Sequence, residues 1–96
     1  MPYGENEMRE TYLEVTFRQG RAIAAYLYLA REAGEKSCRT KRVEPGMVID
    51  FNSSGRAIGI ELTAPGQVSL PVLNQVLADL GISPITQADL APLKAA

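Results

Sequence analysis

The sequence contains no histidine and a single cysteine, Cys38. Without histidine, zinc sites of the Cys/His type and Ser–His or Cys–His catalytic pairs are excluded. One cysteine excludes a disulfide within the chain. We expect Cys38 to be an ordinary strand residue, because no histidine is present to act as its base. These absences leave Asp, Glu, Tyr, Lys and Arg as the reactive groups, and they favour binding over catalysis.

The chain also lacks an excess of charge and long apolar runs. Its formal net charge is −1, which gives no sign of the basic excess typical of nucleic-acid-binding proteins. The longest apolar run, residues 22–30, has nine residues, whereas a transmembrane helix needs about 20. Residues 1–10 have no apolar segment typical of a signal peptide. We therefore expect a cytoplasmic protein.

The 96 residues are 46% hydrophobic and 22% charged, which is typical of a single globular domain. Alternation of apolar and polar side chains predicts five strands. They are expected at residues 12–17, 23–29, 36–43, 47–51 and 56–62. The short connections between them predict antiparallel neighbours, and the polar third strand is predicted to be an edge strand.

Two further signals refine the sheet. Residues 52–55, Asn-Ser-Ser-Gly, predict a tight hairpin between the last two strands. In the last strand, Gly59 lies on the face opposite to Ile58 and Ile60, where we expect it to leave room for a neighbouring backbone or a bulge.

A helix is predicted over residues 69–80, where apolar side chains recur at spacings of three and four. Ser69 is its expected N-cap, Pro71 lies in the first turn, and Gly81 is the expected left-handed residue that ends it. The sequence thus predicts an α+β fold, with an antiparallel meander of about five strands and one C-terminal helix packed on one face.

This pattern gives a simple domain organisation. Residues 1–10 are predicted to be a flexible lead-in, 11–83 a single α+β domain, and 84–96 a short C-terminal tail docked at most through Leu90 and Leu93.

Within residues 15–62, several segments together carry a family resemblance. They are Phe17, Ala24-x-Tyr26-Leu27, Val43-Glu44-Pro45-Gly46-Met47, Val48–Phe51 with Gly55, and Ile58-Gly59-Ile60-Glu61-Leu62. In these segments, about half of the chain, the sequence resembles the DUF2283 family of small bacterial and archaeal domains of unknown function. The resemblance implies a small β-sheet with a C-terminal helix, and by analogy a pairing role with other small proteins. Arg18 and Ile23 stand where members of that family often carry aspartate.

The candidate interaction residues are tyrosines and cations. Tyr26 and Tyr28 share one strand face, and such exposed tyrosines are typical of protein interfaces. Four basic residues fall close together, at Lys36, Arg39, Lys41 and Arg42. Basic groups beside aromatic rings are also typical of single-stranded nucleic-acid binding. Edge protection is the simpler interpretation of the cations, because their alternation splits them between the two sheet faces.

The remaining candidate is an acidic pair. Asp50 and Glu61 lie on hairpin-paired strands and on the same face, although not directly opposite each other. Two carboxylates so placed suit acid–base chemistry or a hard cation. The alternative interpretation is a solvated sheet face.

We therefore predict a protein-interaction module without catalytic activity or cofactor, which self-associates as a homodimer and has another small protein as an alternative partner. The helix supplies a narrow apolar stripe for five strands, which favours a second copy as further cover. The competing hypotheses are a nucleic-acid-binding module that uses the segment from Lys36 to Arg42, and an enzyme or metal-binding protein built on Asp50 and Glu61.

Overall fold

The computed structural model describes residues 7–8, 11–32 and 34–94. The described strands are β1 Glu7–Met8, β2 Tyr12–Arg18, β3 Arg21–Tyr28, β4 Arg31–Glu32, β5 Arg39–Val43, β6 Met47–Phe51 and β7 Ala57–Leu62. The described helices are a 3₁₀ turn at Pro65–Gln67, α1 Leu70–Asp79, α2 Gln87–Leu90 and a second 3₁₀ turn at Ala91–Lys94. Within this part of the chain, no helix is long and apolar enough to cross a membrane.

A five-stranded antiparallel sheet is the centre of the fold, and its strand order is β2-β3-β7-β6-β5. The α+β fold class, with five antiparallel strands and a helix, is confirmed. The order nevertheless differs from a simple meander, because β3 pairs with β7 and the chain crosses from β3 to the far edge at β5. Strand β7 is therefore central, and β2 and β5 are the two edges. A separate two-stranded sheet joins β1 to β4.

The core lies on one face of this sheet. Alternate side chains of the three inner strands and of the 3₁₀ and helical segments form a single buried cluster. From the strands it includes Ala25, Leu27, Met47, Ile49, Phe51, Ala57, Ile60 and Leu62, and Leu29 joins it directly after β3. Helix α1 adds Leu73, Val76 and Leu77, so the helix packs on this face as its apolar spacing predicts.

The ends of α1 match the sequence signals. The Ser69 hydroxyl accepts a hydrogen bond from the Val72 N–H at 3.3 Å. Gly81 has φ +75°, and the Ile82 N–H donates to the Leu77 carbonyl at 2.8 Å. This six-to-one bond around a left-handed glycine satisfies a terminal carbonyl of the helix.

The segment after α1 is part of the folded domain. Ile85, Leu90 and Leu93 are buried in the core cluster, and Thr86 forms a reciprocal capping box with Asp89 at the start of α2. The domain therefore extends beyond residue 83, to Leu93 at least. Two successive pieces of chain cover the core face, so the expectation that a second copy is needed to cover it loses its basis.

The predicted lead-in over residues 1–10 lies outside the described residues, except for the backbone of β1.

The hairpin between β6 and β7 is held by a buried amide. Asn52 is 7% exposed, and its Oδ1 accepts the backbone N–H of Ser54 at 3.0 Å and of Arg56 at 2.8 Å. Its Nδ2 donates to Glu35 Oε2 at 2.5 Å, and the second oxygen of Glu35 pairs with Arg56 at 3.0 Å. Gly55 completes the turn at φ +89°. The turn predicted at residues 52–55 thus rests on an Asx-type bond network.

Candidate functional site

The face opposite to the core carries the candidate tyrosines and acids, and we call it the tyrosine face. Its side chains form two neighbouring rows that cross all five strands. The first row is Tyr12, Tyr28, Gly59, Asp50 and Thr40. The second row is Glu14, Tyr26, Glu61, Val48 and Arg42. Each row starts on β2 and ends on β5.

Tyr26 leaves its own row to reach Asp50. Its hydroxyl donates to Asp50 Oδ2 at 2.6 Å, and its ring lies over Gly59, where any side chain would overlap the ring. Gly59 therefore makes room for a side chain and not for a neighbouring backbone. The bulge expected as the alternative is present beside it, because Asp50 pairs with Gly59 and Phe51 with Ala57, which leaves Ile58 as the additional residue of β7. Burial, and then the hydrogen bond to Asp50, raise the pKa of Tyr26 well above its usual value.

Tyr28 makes the corresponding contact on the other side. Its hydroxyl donates to Glu14 Oε1 at 3.1 Å, and this bond is the main reason that the pKa of Tyr28 is raised. Its ring stacks on Tyr12, with centroids 4.6 Å apart and planes 13° apart. It also meets Tyr26 edge-on at 4.7 Å, and the Arg31 guanidinium lies 5.7 Å from its centroid. Such geometries stabilise aromatic clusters beyond simple burial.

The three rings Tyr12, Tyr26 and Tyr28 form one aromatic cluster, in which two hydroxyls are already bound to carboxylates. The cluster therefore offers ring surface to a partner, with Tyr12 the most open member at 48% exposed. Sequence reasoning selected Tyr26 and Tyr28 but missed Tyr12 and Glu14. The signal was present, because hairpin pairing places Tyr12 opposite Tyr28 and Glu14 opposite Tyr26.

The predicted cations lie at the opposite edge of the sheet. Arg39, Lys41 and Arg42 are exposed residues of β5, and Lys36 is exposed just before it. Arg39 and Lys41 pair with core-face residues of β6, whereas Arg42 pairs with Val48 on the tyrosine face. Because β7 and β6 separate β3 from β5, the tyrosines and the cations do not form the continuous surface expected for single-stranded nucleic acid.

Some of this basic strand is engaged within the protein. The Arg39 guanidinium lies 4.8 Å from the centroid of the Phe51 ring, so it covers the end of the core. Cys38 is exposed, and its backbone N–H donates to the Phe51 carbonyl at 2.8 Å. This bond extends the pairing of β5 with β6 by one residue.

The acidic pair is diagonal. Asp50 faces Gly59, and Glu61 faces Val48, so the carboxylates lie on the same face without being directly opposite. The Tyr26 hydroxyl occupies one oxygen of Asp50, and Glu61 is exposed. Within residues 11–31 and 34–93, whose side chains the structure describes, no three His, Cys, Asp or Glu side chains are grouped to hold a metal ion.

The two edges of the sheet differ in chemistry. Strand β5 carries three cations in five residues. Strand β2, Tyr-Leu-Glu-Val-Thr-Phe-Arg, carries one acid and one base in seven residues and contains no proline. Phe17 on β2 and Ile23 at the start of β3 are 47% and 42% exposed. We call the outer side of β2, with the exposed side chains of Tyr12 and Phe17, the β2 edge.

Two open clefts border the end of α1. The larger, about 550 Å³, is lined by residues that include Leu29, Arg56, Leu80 and Ile82. The smaller, about 390 Å³, lies between α1 and β5 and includes Phe51 in its lining. Neither cleft brings together two of the candidate tyrosines or acids.

Comparison with family models, with curated proteins and with solved structures finds no match to this chain. The resemblance to the DUF2283 family therefore stays a prediction.

Proposed function

We propose that the protein is an interaction module that self-associates through the β2 edge. The observation that carries this proposal is the contrast between the two edges of one sheet. Edge strands present unpaired backbone N–H and C=O groups, and soluble proteins usually block them with lysine, proline or a bulge. Strand β5 has such protection in its three cations, whereas β2 carries one acid and one base of opposite sign and contains no lysine or proline.

The sheet irregularity near β2 does not protect it. The register shift between β2 and β3 leaves Ile23 as the additional residue, and it lies on β3. The backbone of β2 stays extended over all seven residues. Among the described residues, no strand pairs with the outer side of β2.

Exposed apolar side chains support the same edge. Of the four large hydrophobic side chains that are exposed in the described part of the chain, Tyr12, Phe17 and Ile23 belong to the β2–β3 hairpin, and only Val72 lies elsewhere. Tyr12 lies on the tyrosine face and Phe17 on the core side, so both faces of β2 carry exposed aromatic surface, and aromatic residues are enriched in interaction surfaces.

A cytoplasmic location goes with this proposal. The described cysteine, Cys38, is free and exposed, which suits a reducing compartment. We propose a homodimer as the assembled state, with another small protein at the same edge as the alternative.

The test is the concentration dependence of the molecular mass, measured by light scattering and sedimentation. Phe17→Lys places a charge on the β2 edge and should weaken self-association at least about tenfold. Val72→Lys is the matched control, since Val72 is similarly exposed on α1, and it should leave the association unchanged. If the wild-type protein is still monomeric at roughly 100 µM, its dimer dissociation constant must be far above 100 µM. That result would overturn the proposal. Equal effects of the two variants would also overturn it.

A further inference from the structure

We infer that two copies of this chain pair β2 against β2 in an antiparallel ladder centred on Thr16, with Glu14 of each protomer facing Arg18 of the partner subunit. This inference rests on the proposed function and adds its geometry. A homodimer with two-fold symmetry uses the same patch on both copies. When the axis is perpendicular to the sheet, the two core faces lie on the same side, and the five-stranded sheets join into one ten-stranded sheet.

The pleat limits the allowed registers. Side chains on a strand alternate between the faces, so residues that face each other across the axis must belong to the same face. Glu14, Thr16 and Arg18 share the tyrosine face, and Val15 and Phe17 alternate with them. The axis can therefore pass between the Thr16 residues of the two copies, between their Val15 residues, or between two equivalent residues nearer to an end of the strand.

Charge favours the axis at Thr16. In that register Glu14 faces Arg18 of the partner subunit, and the symmetry makes this ion pair twice. With the axis at Val15, Glu14 faces Thr16 and Arg18 faces Tyr12, so no ion pair forms. With the axis at Glu14, the two Glu14 carboxylates face each other, which is destabilising.

Within one protomer, Arg18 has no acidic partner among the described residues. Arg18 lies directly opposite Arg21 on β3, and like charges in that position repel. No ion pair of either arginine is found among the described residues. On the other strand of the proposed pair, Glu14 uses Oε1 for the Tyr28 hydroxyl, and a carboxylate can accept further bonds through its second oxygen.

The core side of the same register is also complementary. Phe17, which is 47% exposed, faces Val15 of the partner subunit. Val15 is half-buried and packs against the core cluster. The pairing therefore covers the exposed Phe17 ring of each protomer with apolar surface of the other. The outward-pointing backbone groups of alternate β2 residues, which do not pair with β3, gain partners.

Charge reversal tests the register. Glu14→Arg and Arg18→Glu should each raise the dimer dissociation constant about tenfold or more, because each places like charges opposite one another. The double variant restores opposite charges and should return the constant to within about threefold of wild type. Arg42→Glu, a reversal on the β5 edge, is the matched control and should not change it.

Arg18→Glu also separates association from folding. It replaces the Arg18–Arg21 repulsion with an attraction inside the hairpin, so the monomer should unfold at higher urea while the dimer becomes weaker. A dimer that is insensitive to either single reversal, or that the double variant does not restore, overturns the register and leaves the proposed function standing. A wild-type monomer overturns both.

A covalent test checks the axis directly. In a Cys38→Ser background, Thr16→Cys brings two thiols together at the axis, within the Cα separation that disulfides and directly opposed antiparallel residues share. Mild oxidation should then give a disulfide-linked dimer from Thr16→Cys and little from Val15→Cys. The reverse preference overturns the axis at Thr16.

Discussion

Replacing Gly59 with alanine should displace the Tyr26 ring from the sheet. The added methyl group would overlap the ring end of Tyr26, so the ring must rotate away from β7. The rotation removes the hydrogen bond that joins Tyr26 to Asp50 at 2.6 Å. Because Tyr28 rests edge-on against the same ring, the aromatic cluster also loses part of its packing.

The magnitude follows from opposing contributions. A hydrogen bond to a charged group contributes about 1.5–3 kcal/mol. Because the ring rotates away from the methyl group, the cost of about 1–3 kcal/mol for overpacking a site is not added to this loss. Water reaches the half-buried Tyr26, which replaces part of the lost bond. Alanine is also better than glycine inside a strand by about 0.5–1 kcal/mol. We expect a net destabilisation of about 1–2 kcal/mol, and a midpoint about 4–8 °C lower for each kcal/mol.

Urea unfolding followed by circular dichroism measures this change at a fixed protein concentration. The decisive comparison is the same substitution in a Tyr26→Ala background, where no ring occupies the space. There Gly59→Ala should be neutral or stabilising by about 0.5 kcal/mol. A double-mutant cycle should thus give a coupling energy of about 1.5–2.5 kcal/mol between the two positions. If Gly59→Ala changes the free energy of unfolding equally in both backgrounds, the ring is not the cause.

Three further substitutions follow from other sites. Asn52→Asp should destabilise the protein by at least about 2 kcal/mol in urea unfolding, because it places a second carboxylate where Nδ2 now binds Glu35. Adding Glu35→Gln removes one of the two charges and should restore stability. If it does not, repulsion between the two carboxylates is not the cause. Gly81→Ala should cost about 1 kcal/mol from backbone strain alone, since φ is +75° and no atom lies within 4 Å of the added methyl; an unchanged unfolding midpoint would contradict this. Because the folded-state pKa of Tyr26 is raised, the folded protein holds that proton after the unfolded chain begins to lose it near pH 10. The free energy of unfolding should therefore fall as the pH rises above about 10, and Tyr26→Phe should flatten the decline; an equally steep decline in that variant would contradict this origin.

The sequence contained enough local information for the separate elements of the fold. The alternation in β2 and β3, the Asn52 turn and the caps of α1 each depend on residues close together in the chain. Such signals can be recognised in a short window of sequence, without knowledge of the tertiary contacts. The segment after α1 was harder to interpret, because Ile85, Leu90 and Leu93 have no regular spacing, and only the core they enter gives them a common face.

The candidate site depended on pairing that no local signal contains. Tyr26 reaches Asp50 only because β7 lies between β3 and β6 and presents Gly59 at the crossing point. A simple meander would have placed β3 beside β5, and thus the tyrosines beside the cations. The single non-local choice of β7 as the neighbour of β3 therefore decides which side chains share a surface.

That same choice explains why the two edges differ. With β7 in the centre, the two edges of the sheet are β5 and β2. The cations of β5 are typical of an edge strand, whereas β2 alternates apolar and polar residues and contains no lysine or proline. Leu13 and Val15 are only half-buried there, and Phe17 is exposed. If β2 remained the edge of the sheet in the assembled protein, we would expect a charged residue or a proline at position 13, 15 or 17. Their absence is the physical reason to look for a further strand at this edge, and the Arg18–Arg21 pair is the reason to expect that strand to bring a carboxylate.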